Sequence, residues 1–188
     1  MLAFATMLVP PVAHATVFMT QTQALQQAFP GARFERRSIV LTDDQAHAVQ
    51  QRAKVHVESK LVATATAWRG DTLVGMAFFD SRTVRTMPAV LMVAVRPDST
   101  VARVDILAFH EPPDYQPPAR WLDTFEGRRL DDHLWPRRDI RNLSGATLSA
   151  RAVTESVRLA VALYEKVIVP GLGTRLLDSP PGRPAPRR

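Results

Sequence analysis

The sequence predicts an α+β domain, a twisted antiparallel sheet packed by helices within a single unit. Three observations predict it. From Lys60 onward the apolar residues recur with period two and are interrupted only by short turn sequences, so β-segments follow one another directly and should pair antiparallel. Residues 149–168 carry apolar side chains at helical spacing. A chain of 188 residues with a 46% hydrophobic fraction has material for one core and little for two.

Taken in order, residues 1–15 (MLAFATMLVPPVAHA) form an apolar run ending in Ala13-His14-Ala15, the small-x-small pattern of a signal-peptidase site. The run is too short to span a bilayer, and it lacks a basic start. It reads as a signal peptide or its remnant, which predicts a periplasmic or otherwise exported chain beginning near Thr16; an apolar N-terminal strand is the other reading. Residues 20–28 suggest a helix with Ala24, Leu25 and Ala28 on one side, closed by Phe29-Pro30-Gly31. A strand through ARFERRSIVL follows. Thr42 and Gln45 stand in capping-box spacing before a helix over 43–54, with Asp43 and Asp44 in its first turn.

LVATATAW and TLVGMAFF flank Arg69-Gly70-Asp71, a hairpin turn composition; the tripeptide is also an adhesion signal, but the turn suffices to explain it. AVLMVAV and TVARVDILAF flank Pro97-Asp98-Ser99, which suits a second turn. HEPPDYQPP, residues 110–118, has four prolines that remove ladder donors, so it is a stiff loop leaving a strand end. ARWLDTFEG suggests a short helix with Trp121 and Phe125 as core anchors, ended by Gly127. In the helix over 149–168, Val153, Val157, Ala160, Val161, Tyr164, Val167 and Ile168 form a stripe, Arg151, Glu155, Arg158, Glu165 and Lys166 lie mostly opposite, Glu155 and Arg158 pair at i, i+3, and Pro170 and Gly171 stop it. Residues 176–188 form a Pro- and Arg-rich tail with little to bury, predicted to be disordered, leaving 16–175 as the domain.

Composition narrows the chemistry. The chain has no cysteine, which excludes disulfides, thiolate metal sites, iron–sulfur clusters and cysteine nucleophiles. The formal net charge of +6 owes part of its excess to the tail, and the rest is dispersed, which predicts no nucleic-acid partner. His47 and His56 share no helix face, and the DDH of 131–133 and HEPPD of 110–114 read as solvated loops, so no metal is predicted.

The stretch that carries chemistry is LSGATLSARAVTES, residues 143–156. It stands before the N-terminus of the strongest helix, where unpaired backbone N–H groups and the positive dipole end favour an anion such as phosphate. Gly145 and Ala146 leave the approach to Thr147 uncrowded, and Arg141 and Arg151 flank it. Helix capping by Ser or Thr explains each residue singly. A hydrolase elbow built on Ser144 or Ser149 would need a second glycine that is absent.

The whole string resembles the flavinylation motif of the FMN-binding domain family, found in the flavin subunits of Na⁺-translocating NADH:quinone reductase and Rnf complexes and as stand-alone exported domains. The resemblance implies covalent FMN in a phosphodiester bond to Thr147, with Ser144, Gly145 and Ala146 preceding the acceptor and Leu148 and Ser149 following it. It extends upstream through the proline loop and the Trp121 helix, over roughly residues 60–168. Two positions depart from the transporter subunits: Arg141 stands where they have Asp, the nearest acid being Asp139, and the proline loop around Glu111 and Tyr115 replaces a Gly-Leu-Gly segment. Glu111, Tyr115 and Arg151 join the motif residues as candidate cofactor contacts. The implied function is an electron-transfer flavoprotein without independent turnover, loaded by a transient partner, a flavin transferase, and exchanging electrons with membrane or periplasmic redox proteins. The competing reading is a non-redox envelope domain that uses the helix N-terminus as an anion site.

Overall fold

The computed structural model describes residues 16–171. The segments 1–15 and 176–188, read above as leader and tail, lie outside them. The described chain runs β1 (Thr16–Val17), α1 (Gln21–Ala28), β2 (Arg33–Val40), α2 (Asp43–Ala53), β3 (Leu61–Arg69), β4 (Thr72–Thr83), β5 (Pro88–Val95), β6 (Val101–Phe109), α3 (Ala119–Leu122) and α4 (Thr147–Leu163). The strands form one antiparallel sheet in the order β1-β6-β5-β4-β3-β2, the α+β architecture that the period-two segments predict.

Local chemistry sets the turns. Gly70 takes φ +58° between Arg69 and its partner Thr72. In the β5–β6 connection Ser99 adopts φ +66°, and the Asp98 carboxylate accepts from the Thr100 N–H at 3.0 Å and hydroxyl at 2.7 Å. Capping boxes start α1 at Thr20–Gln23 and α2 at Thr42–Gln45. Where β4 bulges against β3, Phe29 lies so close over Gly75 that an added Cβ would sit 2.3 Å from its ring.

Period-two alternation gives the sheet two covered faces. α1 packs Ala24 and Leu25 on Ala65, Ala77, Met92 and Leu107. The opposite face bears α2 and α4 on Phe78, Leu91, Val93, Val95 and Ile106. Trp121 and Phe125 anchor the β6–α4 connection, edge to face at 5.2 Å between ring centres. Trp121 Nε1 donates to the Arg141 carbonyl at 2.6 Å, tying that connection to the residues just before the motif.

α4 departs from the sequence reading in three ways. Thirteen of its 17 residues are buried, so it is covered nearly all round rather than along one stripe. Arg158, assigned to the outer face, is completely buried: its Nε donates to the Ala53 carbonyl at 2.7 Å, its Nη1 to the carbonyls of Asp131 and Leu134 at 2.7 and 3.1 Å, and its guanidinium lies 4.5 Å over the Trp135 ring. Glu155 pairs instead with Arg151 and Arg82. At the far end the helix continues through a π-helical turn, Tyr164–Ile168, and Pro170 and Gly171 are still helical.

Candidate functional site

α4 begins at Thr147, two residues earlier than the apolar period predicts, with Ala146 at the N-cap position. The motif therefore enters the helix: Thr147 is its first residue. No side chain caps this end, so the N–H groups of the first turn have no intrahelical partner and none from a capping side chain. Gly145 turns the chain into the helix at φ +81°, a conformation other residues adopt only with strain. A Cβ there would meet nothing within 4 Å. The glycine is thus required by the backbone, not by crowding.

Around this helix start lies an open cleft of about 280 Å³, lined by Arg85, Tyr115 and Gly145 through Ser149. Its size falls just below the roughly 300–1,000 Å³ of small-molecule sites. Thr147 and Leu148 are exposed, while Ser149 is buried and donates its hydroxyl to the Tyr115 carbonyl, fastening the proline loop to α4. Thr147 Oγ1 donates to the Leu143 carbonyl at 3.2 Å. No hydrogen bond to a His, Asp or Glu side chain activates it.

Arg85 was not foreseen from the sequence. Its guanidinium lies 4.3 Å over the Tyr115 ring, which puts a cation beside the uncapped helix end. Glu111 explains its position. The Glu111 Oε1 accepts from the N–H groups of Arg85, Thr86 and Met87 at 3.0, 2.6 and 2.9 Å, gathering the β4–β5 turn onto the end of β6. Glu111 thus stands behind the cleft and does not line it. Ser144 is exposed on the approach to the helix, and Arg151 points its Nε at Glu155, 2.8 Å away, outside the cleft lining. Asp139 pairs with Arg128.

Burial pushes the Glu111 carboxyl up, but the backbone N–H groups of Thr86, Met87 and Arg85, helped by the Arg85 charge, outweigh this and hold it below its ordinary value. A depressed folded-state pKa gives stability that is fully present above the unfolded value and is lost as pH falls through the folded one. Glu111→Gln should therefore be less stable than the parent by about 1 kcal/mol at neutral pH, and the two urea midpoints should converge as pH drops through the carboxylate range. A gap of constant size would mean that the clamp does not use the carboxylate charge.

Residues 87–162 match the FMN-binding domain family. The chain carries an FMN-binding domain. No curated protein matches it. The matched segment of the FMN-binding domain starts in the turn clamped by Glu111 and ends inside α4, and it includes every residue lining the cleft except Arg85. The match supports flavin binding. The residues of the cleft also fit the phosphate end of FMN: an uncapped helix start, an adjacent arginine and a solvent-facing hydroxyl offer N–H donors, positive charge and a point of attachment.

Proposed function

We propose that this chain is an exported flavoprotein that carries FMN through a phosphodiester bond to Thr147 and works as an electron-transfer carrier in a cell-envelope redox chain. The observation that carries the reading is the convergence, in one cleft, of the exposed Thr147 hydroxyl and the uncapped start of α4, both within the matched segment, with Arg85 stacked on Tyr115 from just outside it. Flavin, when bound, supplies one- and two-electron transfer. The chain's own part is to hold it: first-turn N–H groups and Arg85 toward the remaining phosphate charge, Tyr115 and the proline loop along one wall.

Loading needs a second protein. A threonine hydroxyl bonded only to a backbone carbonyl is a poor nucleophile, so the base belongs to a flavin transferase using FAD and Mg²⁺. In that step the Thr147 Oγ1–phosphorus bond forms as the pyrophosphate bond breaks; AMP leaves, and the hydroxyl proton passes to the transferase. A covalent tether also suits an exported carrier, from which free FMN would diffuse away. Its electron donor and acceptor are then membrane or periplasmic redox proteins.

The test is to produce the full chain with and without a flavin transferase. Co-production should give yellow protein whose intact mass is raised by one FMN moiety and whose absorbance bleaches on reduction and returns in air. Colourless protein of unmodified mass would sink the carrier reading and leave the helix start as a plain anion site.

A further inference from the structure

The ladder between β3 and β4 ends at Ala63–Phe79, although β3 continues outward to Leu61 and β4 to Thr83. Beyond that point the two strands part. Val62 and Leu61 stay paired with Ile39 and Val40 of β2, while Asp80 through Thr83 stay paired with β5. The fork is a finished structure: the Ser59 hydroxyl bonds both the N–H and the C=O of Leu61. Between its prongs opens a cavity of about 340 Å³, which shares no lining residue with the cleft at Thr147. Along α4, Thr147 and Ser156 are separated by roughly 13 Å of helix rise.

Two kinds of wall meet in this cavity. Leu41, Val49, Phe78, Val93, Leu159 and Ala160 make its inner part apolar. Close-packed interiors rarely leave such a space between two helices and a sheet. At the rim stands Arg82, only 5% exposed, whose Nε binds Asp80 at 2.9 Å and whose Nη1 reaches Glu155 at 3.3 Å and Glu58 at 3.5 Å. None of these bonds engages its Nη2. The Ser156 hydroxyl donates to Asp80 at 2.6 Å. Three carboxylates, Asp80, Glu58 and Glu155, thus face two guanidiniums, Arg82 and the Arg151 that pairs with Glu155.

We propose that this fork cavity is a second binding site, separate from the flavin cleft, for a neutral and mainly apolar ring-sized molecule bearing a carbonyl or hydroxyl oxygen. The apolar wall takes the body. The Arg82 Nη2 donates to the oxygen, and the surplus carboxylate at the rim discriminates against an anionic head. The site does not depend on Thr147 carrying anything.

Prodan, a neutral naphthalene ketone, tests this with the full chain. Its emission should shift to the blue on saturable binding of one molecule per chain, and anilinonaphthalenesulfonate, an anionic naphthalene, should bind about ten-fold more weakly. Ala160→Phe should weaken Prodan binding by about ten-fold or more; Ala160→Met, a flexible filler, serves if the Phe variant does not fold. Glu58→Gln, at the exposed rim, should narrow the gap between the two probes, and Thr147→Ala should leave Prodan binding unchanged. The proposal is overturned by a lack of saturable Prodan binding, by equal affinity for the anionic probe, by a folded Ala160 variant that binds normally, by a gap that Glu58→Gln leaves unaltered, or by loss of binding in Thr147→Ala.

Discussion

Thr147→Ala is expected to abolish covalent flavin while leaving the fold intact. The substitution removes the one oxygen that the proposed function uses, and it removes little else: the side chain is exposed and its hydroxyl makes a single bond, to the Leu143 carbonyl. Loss of one exposed hydrogen bond costs about 1 kcal/mol or less. Intact mass after co-production with a flavin transferase should therefore drop to that of the unmodified chain, while the melting curve moves by only a few degrees. Thr147→Ser, which keeps a hydroxyl at the first helical position, should recover the flavin. If Thr147→Ala still gains the FMN mass, the attachment assignment is wrong, with Ser144 and Ser149 the nearest hydroxyls to examine; Ser149 is the poorer candidate because it is buried and engaged with the Tyr115 carbonyl.

Arg158→Met is expected to have the largest effect on stability. Arg158 stands at the centre of α4 with no exposed surface, and burial pushes its pKa below the ordinary arginine value while Asp132 and Asp131 act in the opposite direction. Its worth lies in three carbonyls it holds from two other segments: Ala53 at the end of α2, and Asp131 and Leu134 in the connection that leads to the motif. Methionine restores the stem and offers no donor, so all three acceptors lose their partner, those of Ala53 and Leu134 in buried surroundings at about 1–3 kcal/mol each and the half-buried one of Asp131 at less. A total loss of at least about 3 kcal/mol corresponds to roughly 6–12 °C in melting temperature for a chain of this size. Arg158→Lys should recover only part of this, because one ammonium cannot reproduce the planar fork over Trp135. Covalent flavin yield should fall with Arg158→Met as well, since the 131–142 segment positions Leu143 and the helix start. A melting temperature within 2 °C of the parent, a shift worth only about 1 kcal/mol, would mean that the network is dispensable.

The parts of this chain that could be read from its sequence are those whose causes are local. The β3–β4 and β5–β6 hairpins were legible because Gly70 and the Asp98–Thr100 pair dictate their turns within a few residues. The capping box at Thr42–Gln45 was legible for the same reason, and the motif was legible because its residues are contiguous. Arg158 was misread because its residue type signals solvent, whereas its partners lie 24 to 105 positions away. The start of α4 was placed late because an alanine at the N-cap position gives no signal. Arg85 belongs to a turn that only the Glu111 clamp brings beside Tyr115. The β3–β4 fork was equally hidden, since the alternation along each strand runs on past the point where they separate.

The alanine at the head of α4 has a consequence for how the protein lives with its cofactor. Alanine is a poor N-cap, and a helix begun on it forgoes about 0.5–2 kcal/mol that Ser, Thr, Asp or Asn would supply. On the proposed function, phosphate oxygens carried by Thr147 would offer the first-turn N–H groups the acceptor that a capping side chain does not supply. The cofactor then completes the fold as well as furnishing the redox chemistry. Empty chains would fray at the segment that must meet the transferase, loaded chains would be firmer there, and proteolysis would enrich the loaded form without any dedicated sorting step.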